Sequence, residues 1–281
     1  MFSPYYALKG RRDPEDHCAL NVAIYRPREA GNRRGNRWAM TERGRDSLYR
    51  TRHTLQIGPS ALEWHDDGVT IRFDERSFPL PGRIRGTVRL RPQNLSLHAF
   101  ALDGPRCHQW WPLAPLARVE VSLDEPGLTW RGTGYMDENF GSEPLEEGFE
   151  NWNWSRATLG DNGAILYDIT RRGGHRAALA LNIDRHGDVG AVELPPTVTL
   201  PRTTIWRVAR HMQSDDADAR ILRTLEDTPF YSRSLASTRL MGVRAHAMHE
   251  SLALGRLRSA TIKSLLPWRM PRFTRVPKGG W

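Results

Sequence analysis

At 281 residues, of which 39% are hydrophobic, the chain can bury one large core or two of ordinary size. Its apolar runs fall far short of the roughly 20 residues that a spanning helix needs, and its N-terminus lacks the apolar stretch of a secretory signal, so a cytoplasmic protein is expected. The formal net charge of +9 predicts an anionic partner, either nucleic acid or anionic lipid.

Short antiparallel strands are predicted over the N-terminal part of the chain. Residues 1–17 are predicted to form a loop, after which apolar alternation and turn signals recur. In the segment 68–75, for example, Val69, Ile71 and Phe73 alternate with polar residues behind a hairpin signal. No helix-length segment separates these strands, which argues against a parallel βαβ fold. The predicted strands are 18–25, 37–44, 68–75, 83–92 and 95–102.

A second series of strands is predicted after Cys107, interrupted by one helix over Asp215 to Asp227. In that helix Ala217, Ile221, Leu222 and Leu225 would share one side. Eight antiparallel strands are enough to close a small barrel around one ligand, and this series supplies about that number. The strands are predicted at 117–123, 128–137, 151–159, 164–172, 176–184, 190–201, 203–210, 231–238 and 242–252.

The chain is therefore predicted to be mainly β and to contain three parts. A β domain occupies residues 1–107, a lipocalin-like barrel occupies 108–255, and a basic amphipathic tail occupies 256–281. After Glu250 the tail has seven basic residues and no acid, interleaved with large apolar ones. This pattern is typical of a segment that lies on a membrane surface, and a disordered basic tail is the alternative. The basic residues are Arg256, Arg258, Lys263, Arg269, Arg272, Arg275 and Lys278.

The richest stretch for chemistry runs from residue 132 to 157. Tyr135 and Asp137 stand at i and i+2 near the end of a predicted strand, so they share one face, and Trp152 and Trp154 obey the same rule. If the two segments pair, a carboxyl group stands against an aromatic wall. Such surroundings raise a carboxyl pKa, which predicts that Asp137 acts as an acid.

No metal or cofactor is predicted. His17-Cys18 and Cys107-His108 invite a zinc hypothesis, but the two cysteines show no metal-ligand spacing and form no disulfide framework. The sequence also lacks a P-loop, a GxGxxG that opens a helix, and the GxSxG elbow of a serine hydrolase.

Eight ordered blocks resemble the carotenoid 1,2-hydratase (hydroxyneurosporene synthase) family: DHCALNVAIY, RWAMTERG, IGPSALEW, HQWWPLAPLARVEV, GTGYMDENFG, NWNWSRA, LEDTPFYSRS and HESL. The resemblance implies two lipocalin-like β domains and a cofactor-free hydro-lyase. Such enzymes add water to the terminal C1=C2 bond of acyclic carotenoids such as neurosporene and lycopene, on the spheroidene or spirilloxanthin route. The resemblance also implies peripheral association with the inner or photosynthetic membrane. Family members carry a further segment before FSPYY, so part of the first domain is expected to be missing.

The resemblance also implies roles for individual residues. Asp137 would donate the proton, Tyr135 would be its hydrogen-bond partner or position a water, and Trp110 would stabilise the cation. For each of these a purely structural role in the β domain is the alternative. The predicted contacts with substrate are Trp111, Phe140, Trp152 and Trp154.

Other functions remain open at this stage. A lipocalin-like carrier of carotenoid or lipid would use the same barrel and tryptophans but would gain nothing from a buried acid. A cyclase or Diels–Alderase of the same fold is a further alternative. Nucleic-acid binding is disfavoured because the tryptophans lie among acidic residues rather than on a basic face.

Overall fold

The computed structural model describes residues 3–10, 12–27, 36–79, 81–104 and 106–273. The chain divides into two compact units, each discontinuous in sequence. The first comprises Met1–Arg91, Arg118–Gly134 and Lys263–Trp281, and the second comprises Pro92–Ala117 and Tyr135–Ile262. The predicted domain boundaries after residues 107 and 255 stay a prediction.

Strands account for most of the described residues, and the expected mainly antiparallel β class is confirmed. In the N-terminal half they are β1 (Cys18–Ile24), β2 (Arg37–Arg43), β3 (Leu48–Arg50), β4 (Thr54–Ile57), β5 (Ser60–His65), β6 (Gly68–Ser77), β7 (Gly82–Pro92), β8 (Phe100–Ala101), β9 (His108–Glu125) and β10 (Leu128–Gly141). They continue as β11 (Phe149–Leu159), β12 (Asn162–Arg171), β13 (Arg176–Ile183), β14 (Val189–Ala191), β15 (Thr197–Leu200), β16 (Arg210–Gln213), β17 (Arg220–Asp227), β18 (Tyr231–Leu240), β19 (Val243–Ala253) and β20 (Arg272–Phe273).

The helices are short. They are α1 (Pro4–Leu8), α2 (Leu145–Gly148), α3 (Leu254–Leu257) and α4 (Ala260–Leu265), with 3-10 turns at Pro14–His17, Arg45–Ser47 and Leu266–Trp268. The predicted loop over residues 1–17 is therefore wrong in part, because Ser3 caps α1 and Asp13 caps the first 3-10 turn. No helix within the described ranges is long and apolar enough to cross a membrane.

Two large sheets carry the fold, and both are open paths rather than closed barrels. One has the order β10-β9-β7-β6-β5-β4-β3, with β8 paired to β9, and the other has the order β14-β13-β12-β11-β19-β18-β17. Smaller sheets pair β1-β2-β20 and β15-β16. Among the strand pairs whose register is described, β2 with β20 is parallel and the others are antiparallel, because short turns return the chain beside itself.

In the first unit, alternation along the strands buries one compact apolar cluster. It contains Ile24, Ala39, Phe73, Ile84, Val121 and Leu123. Gly86 is required where β7 meets β9, since a Cβ there would lie 2.4 Å from the Ser122 carbonyl oxygen.

In the second unit, β11 and β12 form a hairpin through a two-residue turn, Gly160-Asp161, in which Gly160 has φ +65°. Small side chains from β11, β12, β13, β18 and β19 line one face of the sheet. With aliphatic residues they form the core of this unit: Ala157, Leu159, Ala164, Leu166, Ala180, Leu200, Met212, Ala236, Leu240, Ala245 and Ala247.

The predicted helix over Asp215 to Asp227 is wrong, because residues 220–227 form β17 and pair with β18. Hydrogen bonds to β18 pair the backbone groups of this segment. Leu222, predicted to lie on the apolar side of the helix, is 42% exposed. The strand predicted at 203–210 is also wrong, since only Arg210 enters a strand. The segment predicted at 95–102 contributes only the two residues of β8, and 190–201 divides into β14 and β15.

The described part of the basic tail is held against protein rather than disordered. Arg256 donates to the Trp206 and Pro229 carbonyls, at 2.6 and 3.1 Å. Arg269 stacks over Trp38 at 4.1 Å, and Arg272 pairs with Asp16 at 2.8 Å. Two of the predicted tail residues, Arg275 and Lys278, lie outside the described residues.

Candidate active site

Three of the predicted site residues meet around one carboxyl group in the second unit. Trp110 lies on β9, and Tyr135 and Asp137 lie on the neighbouring strand β10. The Trp110 Nε1–H donates to Asp137 Oδ2 at 2.8 Å, and the Tyr135 hydroxyl donates to the same oxygen at 2.9 Å. The i, i+2 spacing puts Tyr135 and Asp137 on one face, and pairing with β9 brings Trp110 to that face.

Both side-chain donors use Oδ2, so neither occupies Oδ1. A protonated carboxyl group has one oxygen that accepts and one that carries the proton. Two donors on Oδ2 therefore favour the form in which the proton sits on Oδ1.

The electrostatic environment of Asp137 keeps it protonated to a higher pH than usual. Burial raises the pKa of this carboxyl above its ordinary value, while the hydrogen bonds from Trp110 and Tyr135 oppose that rise. The same two bonds stabilise the carboxylate once its proton has left. The site thus holds a carboxyl group that keeps its proton to a higher pH than an exposed aspartate does, with two donors placed to stabilise its conjugate base.

Aromatic rings pack against the two donors that bind this carboxyl group. Tyr167 lies 4.7 Å from Trp110 and 5.2 Å from Trp152 between ring centroids, and Tyr135 lies 5.6 Å from Trp154. Trp110 is fully buried, and Trp152 and Tyr167 are nearly so. The predicted pairing of the two segments is wrong, because β10 lies beside β9 in one sheet and β11 lies between β12 and β19 in the other. Trp154 of β11 nevertheless contacts Tyr135, and in its own sheet it pairs with Tyr167 of β12.

One residue of this group was missed by the sequence analysis. Tyr167 is buried, and burial raises the pKa of its phenol well above the ordinary value. Tyr167 could have been found from the β11–β12 hairpin, since counting back from Leu159 opposite Asn162 pairs Trp154 with Tyr167.

Two predicted contacts with substrate lie away from this group. Trp111 alternates with Trp110 on β9, and its Nε1–H donates to the Ser96 carbonyl at 2.8 Å. Phe140 alternates with Asn139 on β10, and 41% of its side chain is exposed. Their predicted roles stay predictions.

A cationic side chain lies beneath one of the phenols. The Arg156 guanidinium sits 5.1 Å from the Tyr135 ring centroid and donates to the Pro115 carbonyl at 3.2 Å. Burial lowers the pKa of Arg156. Since Arg156 follows Trp154 by two residues on β11, it belongs to the same face of the sheet.

Other features of this unit lie apart from Asp137. His108 is buried and its Nδ1 lies 2.9 Å from Asp103 Oδ2. Within the described ranges, Asp103, Cys107 and Glu143 form the one group of three or more potential metal ligands whose donor atoms lie within 4.8 Å of one another. A cavity of about 390 Å³ is lined by apolar residues that include Ala164, Leu166 and Leu240, and none of its lining residues belongs to the Asp137 group.

Comparison with known proteins identifies the family. A family model described as carotenoid hydratase CrtC matches residues 1–278. A relative from Thiocapsa roseopersicina, named acyclic carotenoid 1,2-hydratase, is 48% identical over 97% of this chain and 67% of its own length. Proteins of the same name from Rubrivivax gelatinosus and Cereibacter sphaeroides are 41% and 37% identical, over 97% and 100% of this chain and 67% and 96% of their own lengths. The family resemblance seen in the sequence is confirmed.

Solved structures show the same type of fold. A crystal structure from Nitrosomonas europaea described as AttH has a TM-score of 0.51 and 12% identity, covering 78% of this chain and 77% of its own. CghA with Sch210972 has a TM-score of 0.51 and 14% identity, covering 84% and 88%. At these identities the likeness concerns the fold alone, and it supports the expected lipocalin-like class.

Proposed function

Because the chain belongs to the carotenoid hydratase CrtC family, we propose that it adds water to the terminal C1=C2 bond of an acyclic carotenoid, with Asp137 as the proton donor. Family membership and the hydratase relatives support a carbon–oxygen lyase. The observation that carries the proposed mechanism is the pair of hydrogen bonds from Trp110 and Tyr135 to a single oxygen of Asp137.

Protonation of the alkene is the first step. The O–H bond on Asp137 Oδ1 breaks, and the π electrons of C1=C2 form a new C–H bond at C2, the less substituted carbon. A tertiary cation remains at C1, and the aspartate carboxylate is stabilised by Trp110 and Tyr135 through Oδ2. The faces of the surrounding aromatic rings stabilise the cation.

Water capture completes the addition. A water oxygen forms a bond to C1, and the proton lost from the resulting oxonium group returns to the Asp137 carboxylate. The enzyme is thereby restored, and the net change is one water added to the carotenoid. This polar route uses neither a metal ion nor a redox cofactor. Treatment with a metal chelator should therefore leave activity unchanged.

Contact with membrane lipid is part of the proposal, because the hydrocarbon substrate partitions into lipid. Three large apolar side chains near the end of the described chain support it: Leu265, Trp268 and Phe273 are 38%, 70% and 43% exposed. An exposed tryptophan of this kind suits the interface between water and membrane.

The proposal is tested in a host that accumulates lycopene or neurosporene. Its carotenoids are analysed by liquid chromatography and mass spectrometry after expression of the wild-type chain, of Asp137→Asn, and of Asp161→Asn. Asp161 lies in the exposed β11–β12 turn and is a matched control. A product heavier by one water is expected for the wild type and the control. Loss of the acid should lower its yield by about 10² to 10⁴.

Two outcomes would count against this function. Unaltered carotenoid that co-purifies with every variant indicates a carrier. Hydration at an undiminished rate in Asp137→Asn removes the proton donor from the mechanism.

A further inference from the structure

The reaction needs a group that holds the attacking water, and the donors around Asp137 do not supply it. Trp110 and Tyr135 are both committed to Asp137 Oδ2, at 2.8 and 2.9 Å. A water that attacks C1 must instead be oriented by a group beside the alkene, with one lone pair free to bond to carbon.

Tyr167 is the candidate for such a group. Its ring centroid lies 4.7 Å from that of Trp110, whose indole donates to Asp137. It is 2% exposed, and none of the hydrogen bonds between described residues uses its hydroxyl as a donor. A buried hydroxyl normally finds an acceptor, so this one is suited to a water.

A second unused donor lies beside Tyr167. The Trp154 Nε1–H is buried and has no acceptor among the residues that the structure describes. Trp154 and Tyr167 are directly opposite each other in the β11–β12 register. Two donors without acceptors among the described residues therefore lie side by side on one face of the β11–β12 pair.

We propose that Tyr167 binds the water that captures the carotenoid cation. The Tyr167 hydroxyl donates to one lone pair of this water and leaves the other to bond to C1. The proton lost from the oxonium group passes to the Asp137 carboxylate. This assignment rests on the proposed hydratase function.

Deuterium exchange separates protonation from water capture. In D₂O, Asp137 delivers deuterium to C2; if capture is slow, the cation loses a proton and returns as a deuterated polyene or as its terminal-methylene isomer. We expect Tyr167→Phe to lower hydration about tenfold or more, in keeping with the loss of a buried hydrogen bond, while deuterium still enters the recovered substrate.

The controls distinguish the possible failures. Tyr49→Phe, at an exposed position on β3, should behave as the wild type, and Asp137→Asn should lose both hydration and deuterium uptake. Hydration at the wild-type rate in Tyr167→Phe, or a parallel loss of both signals there, would overturn the role of Tyr167. A wild-type protein that neither hydrates nor exchanges would overturn the proposed function and this inference with it.

Discussion

At the scale of single residues, the chemistry depends on how burial and two hydrogen-bond donors together set the pKa of one carboxyl group. Burial raises the pKa of Asp137, and the donors Trp110 and Tyr135 restrain that rise. With less burial the pKa of this carboxyl would be lower, and without the donors its conjugate base would be less stabilised. The aromatic environment and the two donors therefore have opposite and complementary effects.

The pH dependence of the reaction follows from that balance. The active form is protonated, so activity should fall as pH rises through the raised pKa of Asp137. Trp110→Phe removes a donor that lowers this pKa, so the alkaline limb of kcat/KM should move to higher pH while the plateau falls. A pH profile with Trp111→Phe as control checks this, since the Trp111 indole binds the Ser96 carbonyl instead. A limb that moves to lower pH would contradict the assignment.

At the scale of elements, β11 separates two environments. Trp152 and Trp154 face the aromatic site, and the alternate residues Asn153 and Ser155 face a buried polar network around His249. Ser155 Oγ lies 3.0 Å from His249 Nδ1, and Ser251 Oγ lies 3.1 Å from His249 Nε2. Ser251 in turn donates to Asn153 at 2.6 Å. These bonds fix the position of β11 and hence of its tryptophans.

The His249 network predicts how stability depends on pH. Burial lowers the pKa of His249 from 6.5 to about 3. Below pH 6.5 the His249 side chain of the unfolded chain binds a proton, whereas that of the folded chain stays neutral. The free energy of unfolding should therefore fall as the pH drops from 6.5 towards 3. The maximal slope for one group is about 1.4 kcal/mol per pH unit.

Urea unfolding between pH 7 and pH 4 measures this contribution. His249→Gln should show a shallower dependence than the wild type, whereas His53→Gln, at an exposed position, should retain the wild-type slope. Equal slopes in all three proteins would show that His249 does not govern acid stability.

At the scale of the whole chain, charge and exposed apolar surface indicate how the protein meets its partner. The net charge of +9 pointed to an anionic surface, yet several basic residues near the C-terminus are engaged within the protein. Arg269 stacks over Trp38, and Arg272 pairs with Asp16. Exposed apolar side chains, Trp268 above all, are therefore the better candidates for contact with lipid.

Membrane binding is testable with vesicles that contain phosphatidylglycerol. We expect Trp268→Ser to weaken co-sedimentation about tenfold, because a large apolar side chain no longer enters the membrane interface. Trp130→Ser, at a 43% exposed position on β10, is the matched control. Equal loss of binding in both variants would indicate nonspecific adhesion.

The sequence by itself determined the strand class, the shared face of Tyr135 and Asp137, and the family, because alternation and ordered motifs are local properties. It failed at 215–227, where pairing with β18 outweighed a helical pattern. Tertiary structure alone decided that Trp110 and Tyr135 both bind Asp137 Oδ2, and that Tyr167 packs against Trp110. Those contacts depend on the register between neighbouring strands and on how the rings of β9, β11 and β12 pack, which side-chain spacing along one strand does not encode.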